Sequence, residues 1–188
     1  MELILASASP RRTELLRYIT TAFEIVPSCE EELVDELLDC HELVMELARS
    51  KACSVLKEHP HSLVIGSDTV VAVDGRILGK PRDYADACDM LRLLSGRGHE
   101  VYTGVCLAAK GRTEQFYSRT EVFFYPLTDE DIIRYVDTGE PFDKAGAYGI
   151  QGYGSLLCKR IEGDFFTVMG LPVALLSRKL ELFKKVIE

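Results

Sequence analysis

The chain has 188 residues, 47% of them hydrophobic and 28% charged, which is typical of one globular domain or of one domain split into two lobes. Its net charge of −8 argues against a general nucleic-acid-binding protein, because phosphate backbones require a basic surface. A few local cations, helped by metal ions, could still bind a small phosphorylated ligand. Without a signal peptide, a membrane span or a CxxC pair among its six cysteines, the chain is expected to be cytoplasmic with reduced thiols.

The spacing of apolar residues predicts a mixed α/β chain. The first predicted strand spans 3–6, and Ser9-Pro10 then marks a helix start, with serine as N-cap and proline in the first turn. The next elements, in chain order, are a strand at 23–27, a helix at about 41–58, a strand pair or one interrupted strand at 63–66 and 70–73, its hairpin return at 76–78, and a helix at about 84–94.

The second half of the chain continues this alternation. Its predicted elements are two long strands at 101–109 and 114–125 joined by a hairpin, a helix from 128 to about 138, a glycine-rich passage at 139–154, a hairpin-like segment at 156–169, and a C-terminal helix after Leu171-Pro172. Several hairpins exclude a purely parallel doubly wound sheet. They favour a long, largely antiparallel sheet flanked by helices.

The segment Ser7-Ala8-Ser9-Pro10-Arg11-Arg12 joins the first strand to the first helix. Hydroxyls, guanidiniums and free backbone N–H groups at a helix start are donors that suit phosphate oxygens. The alternative is that Ser9 only caps the helix while both arginines point into water.

Asp68 follows an apolar run, in Gly66-Ser67-Asp68-Thr69. Such a carboxylate could accept a proton from water or hold a metal ion, or it could simply bond nearby backbone N–H groups. Lys51 and Lys80 could balance phosphate charge, although most lysines are only solvated. The run Glu30-Glu31-Glu32 could bind a hard cation such as magnesium, or be a solvated loop.

The passage from Asp143 to Gly152 combines glycines, which allow close backbone approach to a ligand, with the polar groups of Asp143, Lys144 and Gln151. The common nucleotide and protease motifs (Walker A, GxGxxG and HExxH) do not occur in the chain.

Taken together and in order, these segments resemble the Maf family of nucleotide pyrophosphatases. The matching stretches are Leu5–Arg12, Gly66–Val71, Gly79–Pro81, Leu94–His99, Thr120–Val122, Asp143–Gly152 and Val168–Pro172. The resemblance implies one elongated α/β domain over 1–188, of the type shared with inosine triphosphatases, with two lobes around a deep cleft. It also implies hydrolysis of a nucleoside triphosphate to the monophosphate and pyrophosphate.

The resemblance also implies roles for individual residues. Asp68 matches the proton acceptor. The phosphate-contacting positions are matched by Ser7, Arg11, Lys51 and Lys80. Glu32 matches a conserved acidic position that would hold Mg²⁺ or Mn²⁺ with Asp68, with Glu31 as the alternative one residue away. The specificity set of the UTP- and dTTP-cleaving branch is matched by Arg12, Thr69 and Gln151.

Further expectations follow from the same resemblance. They are a homodimer, a small-molecule nucleotide substrate that could include modified pyrimidine nucleotides, and no nucleic-acid or membrane partner. The alternative function is a nucleotide-sensing regulator of cell division or septum formation with little turnover.

Overall fold

The computed structural model describes residues 1–29 and 38–187. The α-helices in these ranges are α1 (Pro10–Leu16), α2 (Cys40–Glu58), α3 (Tyr84–Leu94), α4 (Asp129–Val136), α5 (Phe165–Met169) and α6 (Val173–Ile187), and short 3-10 helices span Glu140–Asp143, Ala145–Ala147 and Gly152–Leu156. The strands are β1 (Leu3–Leu5), β2 (Glu24–Ile25), β3 (Leu63–Val73), β4 (Arg76–Leu78), β5 (Gly98–Ala109), β6 (Arg112–Phe124) and β7 (Cys158–Glu162). Among the described helices, none is long and apolar enough to cross a bilayer.

The strands form one seven-stranded sheet in the order β2-β1-β3-β5-β6-β7, with β4 paired to β3. β1 is parallel to both β2 and β3, whereas β4 is antiparallel to β3 and β7 is antiparallel to β6. β5 and β6 are joined by only two residues, a connection short enough only for antiparallel neighbours. The predicted mixed sheet with flanking helices is therefore confirmed.

The chain divides into two compact units. The first comprises Met1–Asp68, Thr103–Ser118 and Gly170–Glu188, and the second Thr69–Tyr102 and Arg119–Met169. The single domain with two lobes around a cleft, which the resemblance implies, stays a prediction.

In the first unit, α2 lies against the sheet at two glycines. A Cβ atom placed on Gly66 of β3 would lie 2.2 Å from the carbonyl oxygen of Ala48, and one on Gly104 of β5 would lie 2.2 Å from that of Val44. Real Cβ atoms do not approach that closely, so only glycine allows the helix backbone this near to the strands. Ala48 and Ala52, both fully buried, extend the same small-residue contact into the apolar core of this unit.

The core of the second unit lies between α3, α4 and the strands, and it contains a buried histidine. His99 of β5 is 2% exposed, and its Nε2 lies 2.7 Å from the hydroxyl of Tyr148. Its ring meets the rings of Phe124 and Tyr148 edge-on. Within the described ranges, Nδ1 of His99 is buried and has no hydrogen-bond partner. Burial, followed by the positive charge of Arg97, lowers the pKa of His99 from 6.5 to about 4.

Because His99 is buried in its neutral form, we expect the free energy of unfolding to fall in acid. Between pH 6.5 and 4 the unfolded chain binds a proton at His99 that the folded chain does not, so folding weakens as the pH falls through this window. The loss should amount to about 3 kcal/mol. Urea unfolding at several pH values measures it. His99→Gln should flatten this part of the profile, while His61→Gln, at an exposed position, should not. Equal acid slopes in wild type and His99→Gln would contradict the assignment.

Most predicted elements are found where the sequence places them, and α3 has the predicted bounds. Two differ. The strand pair or interrupted strand at 63–73 is one continuous strand, β3. The hairpin-like segment at 156–169 is wrong in its second half, which forms helix α5. Asp164 explains the difference, because its carboxylate accepts the backbone N–H of Thr167 at 2.7 Å and so caps a helix start.

Candidate functional site

Two of the predicted segments lie on neighbouring strands of the first unit: the first follows β1, and the second lies within β3. β1 and β3 are parallel, with Leu5 opposite Ile65, so the chain leaves β1 toward Ser7 at the same edge where β3 reaches Asp68. The crevice outside the carboxyl ends of parallel strands is the usual ligand site of α/β sheets.

In the segment that follows β1, the side chains form hydrogen bonds with neighbouring residues of the same segment. Ser9 caps α1, as predicted, by accepting the N–H of Arg12 at 3.5 Å. Ser7 is buried, and its hydroxyl accepts the backbone N–H of Ser9 at 3.2 Å and Nη1 of Arg12 at 3.4 Å. Arg11 is half-buried at the start of the same helix. The two serines therefore hold this turn through hydrogen bonds within the chain.

The carbonyl oxygen of Gly170 joins this turn to β3. It accepts Nε of Arg12 at 2.9 Å and the hydroxyl of Ser67 at 3.0 Å. Ser67 is completely buried, and its hydroxyl also lies 2.9 Å from the carbonyl of Gly104. Part of the Arg12 guanidinium is thus used to hold the segment before α6, a contact that spacing alone did not indicate.

Asp68 and Lys51 form an ion pair in the first unit. The Lys51 ammonium donates to Oδ1 of Asp68, and the two side chains are only 14% and 10% exposed. α2 brings Lys51 to this place because it lies on Gly66, two residues before Asp68. An ammonium group has three donors, so Lys51 can hold the carboxylate and still bind a phosphate oxygen.

Three further candidates belong to the second unit. Thr69 is half-buried at the start of this unit, whereas Lys80 and Gln151 are exposed. The loop that carries Lys80 contacts the glycine-rich passage, because the carbonyl of Gly79 accepts the N–H of Gly146 at 3.0 Å. Lys80 and the passage that bears Gln151 are therefore tied together by backbone contact.

Metal binding was predicted at Glu32 and Asp68. Glu32 and its alternative Glu31 lie outside the described residues. Over 1–29 and 38–187, no three His, Cys, Asp or Glu side chains form a group that could hold a metal ion. Mg²⁺ is usually bound by one or two carboxylates together with substrate phosphates and water, so Asp68 fits as a protein ligand for an ion that arrives with a nucleotide.

Two residues that the sequence did not single out hold the candidate segments in place. One is Ser67, whose contacts with Gly170 and Gly104 are described above. The other is Glu140, which accepts hydrogen bonds from the glycine-rich passage. The density of glycines there indicated tight backbone packing, but nothing in the spacing identified the acceptor.

Comparison with known proteins finds one family across the chain: a family model described as Maf-like protein matches residues 2–183. A Bacillus cytotoxicus protein named dTTP/UTP pyrophosphatase is 52% identical over 96% of this chain and 94% of its own length. A Bacillus velezensis protein of the same name is 52% identical over 96% of both chains.

Solved structures give more distant likenesses. A nucleoside-triphosphatase / dITP/XTP pyrophosphatase from Mycobacterium abscessus is 22% identical, with a TM-score of 0.46 over 68% of this chain and 76% of its own. The Staphylococcus aureus Ham1 protein is 16% identical, with a TM-score of 0.48 over 82% of this chain and 78% of its own.

Proposed function

Because the chain belongs to the Maf family, we propose that it hydrolyses UTP and dTTP to the nucleoside monophosphate and pyrophosphate. It is then a hydrolase of the α–β phosphoanhydride bond. The observation that carries the proposal is the ion pair of Asp68 and Lys51, which lies just beyond the point where the parallel pairing of β1 with β3 ends, on the side toward which the chain leaves β1 into the Ser7–Arg12 turn.

Asp68 is proposed as the proton acceptor. A water molecule attacks the α-phosphorus, its proton passes to the carboxylate, and the bond to the β-phosphate oxygen breaks to release pyrophosphate. Lys51 holds Oδ1 of Asp68, which orients the carboxylate and leaves its other oxygen to face the water. The low exposure of both side chains supports this role, since partial burial strengthens the attraction of the Lys51 ammonium both to the Asp68 carboxylate and to the substrate phosphates.

Four side chains are proposed to bind the triphosphate: Ser7, Arg11, Lys51 and Lys80. Hydrolysis of a phosphoanhydride depends mainly on positioning and on neutralising charge. The Ser7 hydroxyl, the Arg11 guanidinium and the two lysine ammonium groups are donors of the right kind, although the chain as a whole is acidic.

A divalent cation, Mg²⁺ or Mn²⁺, is proposed to bind with the nucleotide, held by Asp68 and by Glu32. When bound, such an ion neutralises phosphate charge and lowers the pKa of coordinated water.

Arg12, Thr69 and Gln151 are proposed to select the pyrimidine base. The Gln151 amide has both a donor and an acceptor, as the edge of uracil or thymine requires, and its exposure leaves it available to a ligand. A base that left a buried donor unpaired would be rejected by about 1–3 kcal/mol per group. The modified nucleotide 5-methyl-UTP, which carries thymine on a ribose, presents the same edge, so modified pyrimidine nucleotides of this kind are proposed as further substrates.

The proposal is tested by incubating the protein with UTP, dTTP, CTP, ATP and GTP in the presence of magnesium and separating the products by chromatography. UMP and dTMP should appear with pyrophosphate, faster than the products of the other nucleotides. Release of orthophosphate and a nucleoside diphosphate would contradict the proposed bond cleavage. Tight UTP binding without turnover would instead favour the nucleotide-sensing regulator. The homodimer stays a prediction, and analytical ultracentrifugation, which measures the mass of the particle in solution, tests it.

A further inference from the structure

The carboxylate of Glu140 is a hydrogen-bond acceptor for the segment 149–154. Its Oε2 accepts the backbone N–H of Tyr153 at 3.0 Å, and its Oε1 accepts that of Gly154 at 3.3 Å. Oε1 also accepts the hydroxyl of Tyr135 from α4 at 3.1 Å. That hydroxyl in turn accepts the N–H of Gly149 at 3.1 Å. Glu140 and Tyr135 thus hold the segment at both of its ends.

The glycines of the segment allow this close contact. A Cβ on Gly152 would lie 2.7 Å from Oε2 of Glu140, and Gly152 also has a positive φ of 62°. A Cβ on Gly154 would lie 2.0 Å from the carbonyl oxygen of Gly149. The backbone of the segment therefore approaches the Glu140 carboxylate more closely than residues with a Cβ would allow. The conformation of the segment then depends on the position of that carboxylate.

Gln151 lies between the two tethered ends. Gly149, two residues before it, is bound to Tyr135, and Tyr153, two residues after it, is bound to Glu140. Gln151 itself is exposed. We propose that Glu140 is a positioning residue that sets the direction of Gln151 and thereby the selectivity for uracil and thymine over other bases. The inference rests on the proposed function, in which Gln151 reads the base.

The position of Glu140 is itself well determined. Its backbone N–H donates to the Thr138 hydroxyl at 3.2 Å, and its carbonyl accepts Nζ of Lys144 at 2.5 Å. The ring of Tyr135 is buried in the core of the second unit. The acceptor that orders the exposed Gln151 is therefore anchored to the core.

Glu140→Gln is the most direct variant, because it keeps the shape and replaces one acceptor oxygen by an NH₂ group. That group would face a donor (a backbone N–H or the Tyr135 hydroxyl), so at least one of the three bonds is lost. Tyr135→Phe is the second variant, since it removes only the hydroxyl between Gly149 and Glu140. Glu130→Gln is the matched control: it makes the same chemical change at an exposed position of α4.

The experiment measures kcat/KM for UTP and for CTP in wild type, these variants, Gln151→Ala and the double variant Glu140→Gln/Gln151→Ala. In Glu140→Gln the ratio of UTP to CTP should fall by about tenfold, mainly through a higher KM for UTP. Tyr135→Phe should lower it in the same direction, and Glu130→Gln should leave it unchanged. The double variant should be no less selective than Gln151→Ala alone, because both changes act through one contact.

The outcomes separate the inference from the function on which it rests. A normal ratio in both Glu140→Gln and Tyr135→Phe, with a reduced ratio in Gln151→Ala, overturns the inference and leaves the function intact. Additive losses in the double variant also overturn it, since Glu140 would then act independently of Gln151. An unchanged ratio in Gln151→Ala removes the base-reading role and the inference with it. If the wild-type protein does not turn over UTP, the proposed function fails. In that case calorimetry on the same variants measures the dissociation constants of UTP and CTP, and their ratio tests whether Glu140 sets the selectivity.

Discussion

Asp68→Asn is expected to lower kcat for pyrophosphate release from UTP by about a thousandfold. Asparagine has nearly the shape of aspartate, and its amide oxygen can still accept the hydrogen bond from Lys51, so the variant should fold. It has no basic oxygen to accept the proton of the attacking water, and it is a poorer ligand for a divalent cation. Steady-state kinetics with UTP and magnesium measure the loss.

Asp74→Asn is the matched control for this variant. Asp74 lies in the turn between β3 and β4, where it pairs with Arg97, and its side chain is 69% exposed. Its φ of 51° is a value that asparagine tolerates well. Turnover should therefore be unchanged. Asp68→Glu, assayed while magnesium is titrated, separates the two roles of the carboxylate: restored turnover at high magnesium indicates metal binding, and a loss at every concentration indicates the proton acceptor. Normal turnover in Asp68→Asn would contradict both roles.

Gly66→Ala is expected to destabilise the protein by about 3 kcal/mol. The added methyl group would lie 2.2 Å from the carbonyl oxygen of Ala48 and 2.8 Å from the backbone nitrogen of Ala52. Both are helix backbone atoms, which cannot move aside as a side-chain end does, so α2 has to shift away from β3. Urea unfolding measures the effect.

The same shift should displace Lys51, which α2 carries, and so weaken its contact with Asp68. Folded Gly66→Ala is therefore expected to turn over UTP more slowly than wild type. Gly79→Ala is the matched control, because a Cβ there would meet no atom within 4 Å and the backbone has no positive φ. Its stability should equal that of wild type within about 0.5 kcal/mol. Equal stability of Gly66→Ala and Gly79→Ala would show that α2 does not rest on Gly66.

Local signals in the sequence were sufficient for most secondary structure. The apolar spacing at 84–94, with a loop on each side, predicted the bounds of α3. Ser9-Pro10 predicted the start of α1, and Asp74-Gly75 predicted the turn between β3 and β4, because capping and turn chemistry depend on a few adjacent residues. The prediction of a strand at 165–169 was wrong. Two phenylalanines and a valine favour a strand there, but the N-cap hydrogen bond accepted by Asp164 stabilises a helix.

The sequence by itself determined most of the elements, the family and the list of residues with suitable chemistry, because these depend on residue type, order and short spacing. Only the tertiary structure decided which of them meet. The pairing of Lys51 with Asp68, and of Arg12 and Ser67 with the Gly170 carbonyl, joins positions far apart in the chain. Such contacts follow from strand order and from the depth at which α2 rests on Gly66 and Gly104, and no local pattern encodes them.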